Sequence, residues 1–280
     1  MVNHLNSSIA CSLRQKDKLM LKADLNPRRV HVTFAGEIIV DSKQVITLHE
    51  RGKLPVYYFP LEDVMQQFLV KTELQTHCPI KGDASYWTIQ VGERISENAV
   101  WGYENPLKDI ESIKGFVAFY WNKVNAWYEE EEQIFVHPRD PYKRVDAIQS
   151  SRHVEIVLDG IKLADSRRPV IVFETGVPVR YYLPMEDVDQ NVLTANDKQT
   201  SCPYKGDASY WTAVLNGQTY ENIVWSYLNP IPEIPNIAGL MSFYNEQVDV
   251  YVDGELQPKP KWYYSALEFF NETEVSVIRQ

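Results

Sequence analysis

The sequence predicts an all-β protein with minor helix, built as two homologous compact units, each a small barrel or sandwich. Two observations carry that prediction. First, Thr76-His77-Cys78-Pro79-Ile80-Lys81-Gly82-Asp83-Ala84-Ser85-Tyr86-Trp87-Thr88 returns as Thr200-Ser201-Cys202-Pro203-Tyr204-Lys205-Gly206-Asp207-Ala208-Ser209-Tyr210-Trp211-Thr212, an offset of 124 residues. That offset runs without a gap from Val30/Val154 to Val124/Val248, with about four positions in ten identical. Self-similarity at a fixed period sets the domain plan, and a unit of about 120 residues can bury its own core. Second, short runs rich in β-branched and aromatic residues alternate with frequent turns, the pattern of strands rather than helices.

The elements follow in order. Val30 to Phe34, Ala35-Gly36-Glu37 and Ile38 to Val40 read as a hairpin, repeated as Val154 to Leu158, Asp159-Gly160 and Ile161 to Ala164. Asp-Gly is a strong hairpin signal because both turn residues must take positive φ. Val45 to His49 and Val56 to Phe59 follow, with counterparts Val170 to Phe173 and Arg180 to Leu183. Pro60 and Pro184 end those strands. After the Cys-Pro-x-Lys-Gly-Asp loop come Tyr86 to Val91, a turn at Gly92, and Ala99 to Tyr103. Gln66 to Thr72 and Ile113 to Tyr120 are ambiguous between helix and strand. Val248 to Val252 and Asp253-Gly254 close the second unit.

These signals divide the chain into a flexible tail (1–27), a first unit (28–142), a linker (143–152), a second unit (153–257) and an aromatic extension (258–280) with Trp262, Tyr263, Tyr264, Phe269 and Phe270. The connecting stretch, roughly His137 to Arg152, is short and contains two prolines, which predicts that the units pack on each other as a pseudo-symmetric pair. The aromatic load of the extension predicts that it docks.

Composition narrows the class. Net charge is −10 with no run of Lys or Arg, which argues against a nucleic-acid partner. No stretch approaches 18 consecutive apolar residues, and the first 25 lack a signal-peptide core. The expectation is a cytoplasmic protein with no membrane partner. Three cysteines, Cys11, Cys78 and Cys202, fit a reducing compartment. Cys78 and Cys202 read as small buried thiols, because His77 beside Cys78 becomes Ser201 in the second copy and no histidine follows His153.

Glycines and prolines kept in both copies are explained by turns. The polar and aromatic identities are not. Lys81/Lys205, Asp83/Asp207 and Glu97/Glu221 are candidate acid, base or electrostatic groups. Tyr57, Tyr58, Ser85, Tyr86, Trp87, Asn98, Trp101 and Tyr103 are candidate substrate-binding residues of the first unit. Tyr181, Tyr182, Ser209, Tyr210, Trp211, Asn222, Trp225 and Tyr227 are their counterparts. Neighbours on a strand alternate faces, so Trp101 shares a face with Tyr103 and Ser85 with Trp87. A loop bearing Lys and Asp beside aromatic residues suits a small-molecule pocket. A buried ion pair bracing the loop, with the aromatics as core, accounts for the same residues.

The twelve glycines stand at least ten residues apart, so no glycine-rich phosphate loop exists. No Cys-x-x-Cys, His-Glu-x-x-His or Gly-x-Ser-x-Gly occurs. No metal site and no cofactor is expected.

Thr-x-Cys-Pro-x-Lys-Gly-Asp-Ala-x-Tyr-Trp, then Glu-Asn-x-x-Trp-x-Tyr-x-x-Pro, resembles the domain-of-unknown-function 427 family. Arg29-Val30 to Gly36, Asp41-Ser42, Glu50, Tyr57-Tyr58-x-Pro60, Glu62-Asp63-Val64 and His137-Pro138-Arg139-Asp140-Pro141-Tyr142 resemble its pattern too. The resemblance implies a fused tandem of a compact, tent-like β fold and no agreed activity. The His137 to Tyr142 ending is lost in the second unit, where Lys261 to Ala266 stand. Some members carry a nucleotidyltransferase-like label. Such enzymes present a Gly-Ser pair and spaced aspartates for Mg²⁺ and triphosphate, and this chain has no such arrangement.

The expected function is small-molecule binding, leaning to a cofactor-free lyase or isomerase that runs acid/base chemistry on an apolar or aromatic metabolite, in a biosynthetic role. Lys81/Lys205 would donate or stabilise, and Asp83/Asp207 or Glu97/Glu221 would accept the proton. The alternatives are a non-catalytic module with an aromatic cage and a nucleotidyltransferase-like activity. The oligomeric state is not fixed by sequence.

Overall fold

The computed structural model describes residues 21–50 and 52–260, and the chain divides into units Met1–Asp140 and Pro141–Gln280. Cys11, the rest of 1–20 and the aromatic residues of the C-terminal extension lie outside the described residues.

The first unit holds β1 (Leu21–Leu25), β2 (Val30–Phe34), β3 (Glu37–Ser42), β4 (Ile46–Glu50), β5 (Val56–Pro60), β6 (Leu69–Cys78), β7 (Gly82–Val91), β8 (Arg94–Gly102), β9 (Phe116–Phe119), β10 (Ala126–Glu129) and β11 (Glu132–Ile134). Every strand pair in it is antiparallel. One sheet has seven strands in the order β1-β4-β5-β9-β8-β7-β6, the other four in the order β11-β10-β2-β3. Both sheets are open, so the unit is a sandwich and not a barrel. Its helical content is short 3₁₀ turns such as Leu61–Asp63 and Lys108–Ile113.

The second unit repeats this plan with β12 (Val145–Gln149), β13 (Val154–Leu158), β14 (Ile161–Ser166), β15 (Val170–Glu174), β16 (Val177–Leu183), β17 (Leu193–Cys202), β18 (Gly206–Leu215), β19 (Gln218–Ser226), β20 (Met241–Phe243), β21 (Asp249–Val252) and β22 (Glu255–Leu256). Its sheets run β12-β15-β16-β20-β19-β18-β17 and β14-β13-β21-β22.

Four segments differ from the sequence expectation. Residues 21–25, placed in the tail, form β1 and pair with β4. Residues 145–149, placed in the linker, form β12 and pair with β15. The two strands are repeat equivalents, so each unit begins earlier than its conserved hairpin. Leu69–Cys78 and Leu193–Cys202 are ten-residue strands. Their sequences hide this because they are sheet edges with few buried residues. The two ambiguous stretches each resolve into a short 3₁₀ turn followed by strand, Gln66–Phe68 before β6 and Lys108–Ile113 before β9.

Hairpin chemistry behaves as the turn residues dictate. Asp159-Gly160 takes φ of 49° and 77°, the two left-handed residues that suit the twist of a two-residue hairpin. Ala35-Gly36 takes the same geometry, with Ala35 at φ 52°.

The seven-stranded sheet buries both faces. In the first unit one face packs on the four-stranded sheet through Val30, Val32, Ile39, Tyr57, Phe59, Trp87, Ile89, Phe119 and Trp127. The opposite face carries a separate cluster: Leu48, Tyr58, Ala84, Tyr86, Tyr103, Ile110, Ile113 and Ala118. The second unit has the same two clusters, the outer one containing Tyr182, Tyr210, Trp225 and Tyr227. This outer face positions the candidate site. Among the described residues no helix is long and apolar enough to cross a membrane.

Candidate functional site

The site is built at the tip of the β6–β7 and β17–β18 hairpins. In the second unit the Lys205 backbone N–H donates to the Cys202 carbonyl at 3.2 Å. This closes a turn with Pro203 in its second position, where a fixed φ helps. Gly206 follows at φ 100°, and a Cβ there would lie 3.3 Å from the Asn229 carbonyl oxygen. The Ile231 N–H donates to the Lys205 carbonyl at 3.1 Å, pinning the tip to the Asn229-Pro230 segment. The first unit matches: Lys81 N–H to Cys78 carbonyl at 3.2 Å and Leu107 N–H to Lys81 carbonyl at 3.0 Å. The Cys-Pro-x-Lys-Gly motif and the distant Asn-Pro are thus one local structure that aims the lysine inward.

The lysine meets a glutamate. Lys205 makes a short ion pair with Glu174 at the end of β15, their side chains 11% and 7% exposed. Lys143 reaches the same carboxylate at 2.7 Å. In the first unit Lys81 pairs with Glu50 at the end of β4, and Lys53 joins at 2.8 Å. Lys143 and Lys53 are not repeat equivalents, so each unit recruits its second ammonium from a different segment. Burial alone raises both glutamates, but the adjacent ammoniums outweigh it and hold Glu50 and Glu174 below the ordinary carboxylate range.

Beside Lys205 and Glu174 lies a cavity of about 170 Å³. Its aromatic wall is Tyr182, Tyr210, Trp225, Tyr227 and Tyr244. Val172, Val177, Pro178 and Arg180 complete it. Trp225 Nε1–H donates to the Tyr182 hydroxyl at 3.1 Å. The Trp225 and Tyr244 rings stand 4.6 Å apart. The Tyr210 hydroxyl is 2.8 Å from Thr200 Oγ1, which accounts for the threonine in the motif. Burial pushes the Tyr182 and Tyr227 hydroxyls far above the usual phenol range, and Tyr244 up to about 12. Arg180 lies 5.5 Å from the Trp225 ring centroid and holds Glu246 through two bonds of 2.7 Å.

The equivalent face of the first unit keeps Glu50, Tyr58, Lys81, Tyr86, Trp101, Tyr103 and Tyr120, with Trp101 against Tyr120 at 4.3 Å. It differs where Arg180 and Glu246 become Val56 and Asn122.

The other candidates fall elsewhere. Asp83 is exposed and 2.6 Å from His77 Nδ1; Asp207, Glu97 and Glu221 are exposed too. The carboxylate beside the lysine is therefore that of Glu50 or Glu174, not that of Asp83, Asp207, Glu97 or Glu221. Asp83 and Asp207 miss the site because they follow a glycine on a strand that turns their side chains outward. Tyr57, Trp87, Tyr181 and Trp211 belong to the face between the sheets. Strand alternation sends one member of each Tyr-Tyr and Tyr-Trp pair to each side. Ser85 donates to Glu104 at 2.8 Å on the face of Trp87, and Ser209 holds the equivalent position.

Asn98 and Asn222 sit at φ 48° and 56° in a bulge of β8 and β19. Asn98 Oδ1 accepts from Thr72 Oγ1 at 2.8 Å, and its N–H donates to Thr88 Oγ1 at 3.1 Å. They are kept for the backbone. Nothing in the structure explains the paired Glu97 and Glu221. Cys78 and Cys202 are free, half-buried thiols packed against the aromatic clusters.

Sequence reasoning missed Glu50/Glu174 and Tyr120/Tyr244 as site residues, although each is identical in both copies. It missed Lys143, which has no marker. It missed Arg180 and Glu246, whose signal is that the two copies differ at both positions of one touching pair.

Two further features lie outside this site. An open groove of about 410 Å³ on the first unit, lined by Phe34, Ile95, Glu97 and Lys123 among others, lacks the aromatic wall. His153, Glu155 and Asp165 approach one another closely enough to suggest a metal. The Lys162 ammonium already bridges Glu155 at 2.5 Å and Asp165 at 2.7 Å.

No curated protein matches the chain. The family model described as domain of unknown function DUF427 matches residues 22–130 and again 146–254, the two units offset as the repeat requires. The chain belongs to the DUF427 family, as a tandem of two copies.

Proposed function

We propose that the aromatic cavity of the second unit is a small-molecule-binding site, and that the protein works as a ligand-binding module. The observation that carries this reading is the buried Lys205–Glu174 pair set into an aromatic cavity of about 170 Å³. Concave sites of aromatic lining with a few oriented polar groups are where small ligands bind. The volume is below the common range of about 300–1,000 Å³, which favours a compact, single-ring ligand.

Acid/base catalysis is the weaker reading. A general acid or base works best with a pKa near the operating pH. Here the displaced groups move away from neutrality, Glu174 down and Tyr182 and Tyr227 up. Nucleotidyl transfer has less support. The carboxylate at the cavity is occupied by two ammoniums, and the volume is small for a nucleoside triphosphate.

The test is a thermal-shift and calorimetric screen of single-ring metabolites against the full chain and Val177→Trp, a substitution that fills the cavity. Ligands that bind the first and not the second support the site. Binding unaffected by the substitution refutes it.

A further inference from the structure

The charges around the second unit's cavity point to one ligand class. Lys143 and Lys205 share the single carboxylate of Glu174, so this end of the cavity carries one positive charge in excess. Arg180 and Glu246 form a second pair along the wall and add no excess. Lys198 stands 4.7 Å from the centre of the Tyr210 ring, a further cation beside that wall residue. This local surplus occurs on a chain of net charge −10.

The surplus argues against a cationic ligand. Aromatic cages hold cations on the ring faces, usually with negative charge nearby. Here Tyr210 already faces Lys198, and Trp225 and Tyr244 already face Arg180 at 5.5 and 5.8 Å. A ligand cation would meet like charges on three of the five rings.

We propose that this cavity recognises a small planar organic anion, an aromatic or unsaturated carboxylate, with its charged group at the Lys205 end and its ring against Trp225 and Tyr227. This rests on the cavity being a binding site at all. Lys143 is the group that makes anion recognition work. Without it, Glu174 would neutralise Lys205 and the head-group end would have no net charge. With it, Glu174 is divided between two ammoniums, and Lys205 keeps attraction for a third partner. Charge-assisted bonds to a carboxylate are about twice as strong as neutral ones, and exclusion of water from a small cavity strengthens them further.

The first unit diverges in the wall. Its Val56 and Asn122 replace Arg180 and Glu246, and Leu74 replaces Lys198. The two units therefore differ along this wall, with the lysine over the Tyr210 ring present in the second alone.

The test holds shape constant and varies charge. Benzoate, benzamide and benzamidinium are titrated calorimetrically into the full-length protein and into Val177→Trp, Lys143→Met and Lys143→Arg. Benzoate is expected to bind best, benzamide more weakly and benzamidinium least, all three being lost in Val177→Trp. Lys143→Met is expected to weaken benzoate about tenfold, because Glu174 then neutralises Lys205 and the ligand loses about the worth of one charge-assisted contact, about 1.5 kcal/mol, with benzamide unchanged. Lys143→Arg is expected to keep the benzoate preference, which separates a charge effect from a folding defect. Benzamide or benzamidinium binding as well as benzoate, still blocked by Val177→Trp, overturns the anion proposal and leaves the cavity as a site. Absence of binding by all three probes, or binding that Val177→Trp does not touch, overturns both.

Discussion

Replacing Glu174 and Lys205 together by apolar residues separates a structural ion pair from a functional one. Both side chains are about nine-tenths buried, and Lys143 at 26% exposure can turn to solvent when its partner goes. Glu174→Leu alone leaves Lys205 buried without its countercharge, at a cost of about 3–5 kcal/mol. Lys205→Met alone is milder, because Lys143 still satisfies Glu174 at 2.7 Å. The double variant Glu174→Leu/Lys205→Met removes both desolvation penalties, and such apolar replacements are often neutral or stabilising by about 1–4 kcal/mol. The double variant is therefore expected to be more stable than Glu174→Leu and close to the parent, yet unable to bind benzoate. Hydrogen exchange of peptides from β15 and β18 reads the second unit's stability directly. A double variant as unstable as the sum of the singles would refute the reasoning, because the pair would then be holding the fold.

Glu50 and Glu174 are depressed carboxyls, so they contribute stability that is present above their unfolded value of about 4.5 and lost as pH falls through their lower folded values. Acid melts should show this loss below about pH 4.5 and a flatter profile for Glu174→Leu/Lys205→Met. Ala35→Asn relieves a left-handed alanine at φ 52° and should stabilise the first unit by about 0.5–1 kcal/mol in urea denaturation. Gly206→Ala forces a Cβ onto the Asn229 carbonyl at 3.3 Å and a side chain into φ 100°. It should cost more than about 1 kcal/mol and weaken ligand binding by disturbing the turn that aims Lys205. Asn98→Ala loses the side-chain hydrogen bond from Thr72 Oγ1 and puts an alanine at φ 48°; it should cost about 1–2 kcal/mol and leave binding by the second unit intact.

Much of the fold was legible because local signals suffice for it. The offset repeat, the Asp-Gly turns and the β-branched runs each report on a few neighbouring residues. β1 and β12 escaped because they lie outside the gapless repeat and carry mixed residues that are not fully buried, such as Lys22 and Asp146. The residues gathered at the candidate site were legible in part. Lys205, Tyr182, Tyr210, Trp225 and Tyr227 share one face, as their identity in both copies suggested. Asp207 and Glu221 were attractive only because they sit near Lys205 and Trp225 in sequence. The actual partner, Glu174, is 31 residues from Lys205 along the chain and comes into contact through sheet pairing that no short motif encodes. Asn222 shows the opposite error, a polar identity explained by backbone conformation.

The most direct measurement is the indole N–H resonance of Trp225, assigned through Trp225→Phe, during a benzoate titration of the full-length protein. Trp225 lines the cavity, whereas Trp127 lies between the sheets of the first unit. A saturable shift of the Trp225 signal with Trp127 unmoved is the expected result. A Trp225 signal that stays fixed, or one that drifts without saturation together with Trp127, would contradict the claim that this cavity is a ligand site.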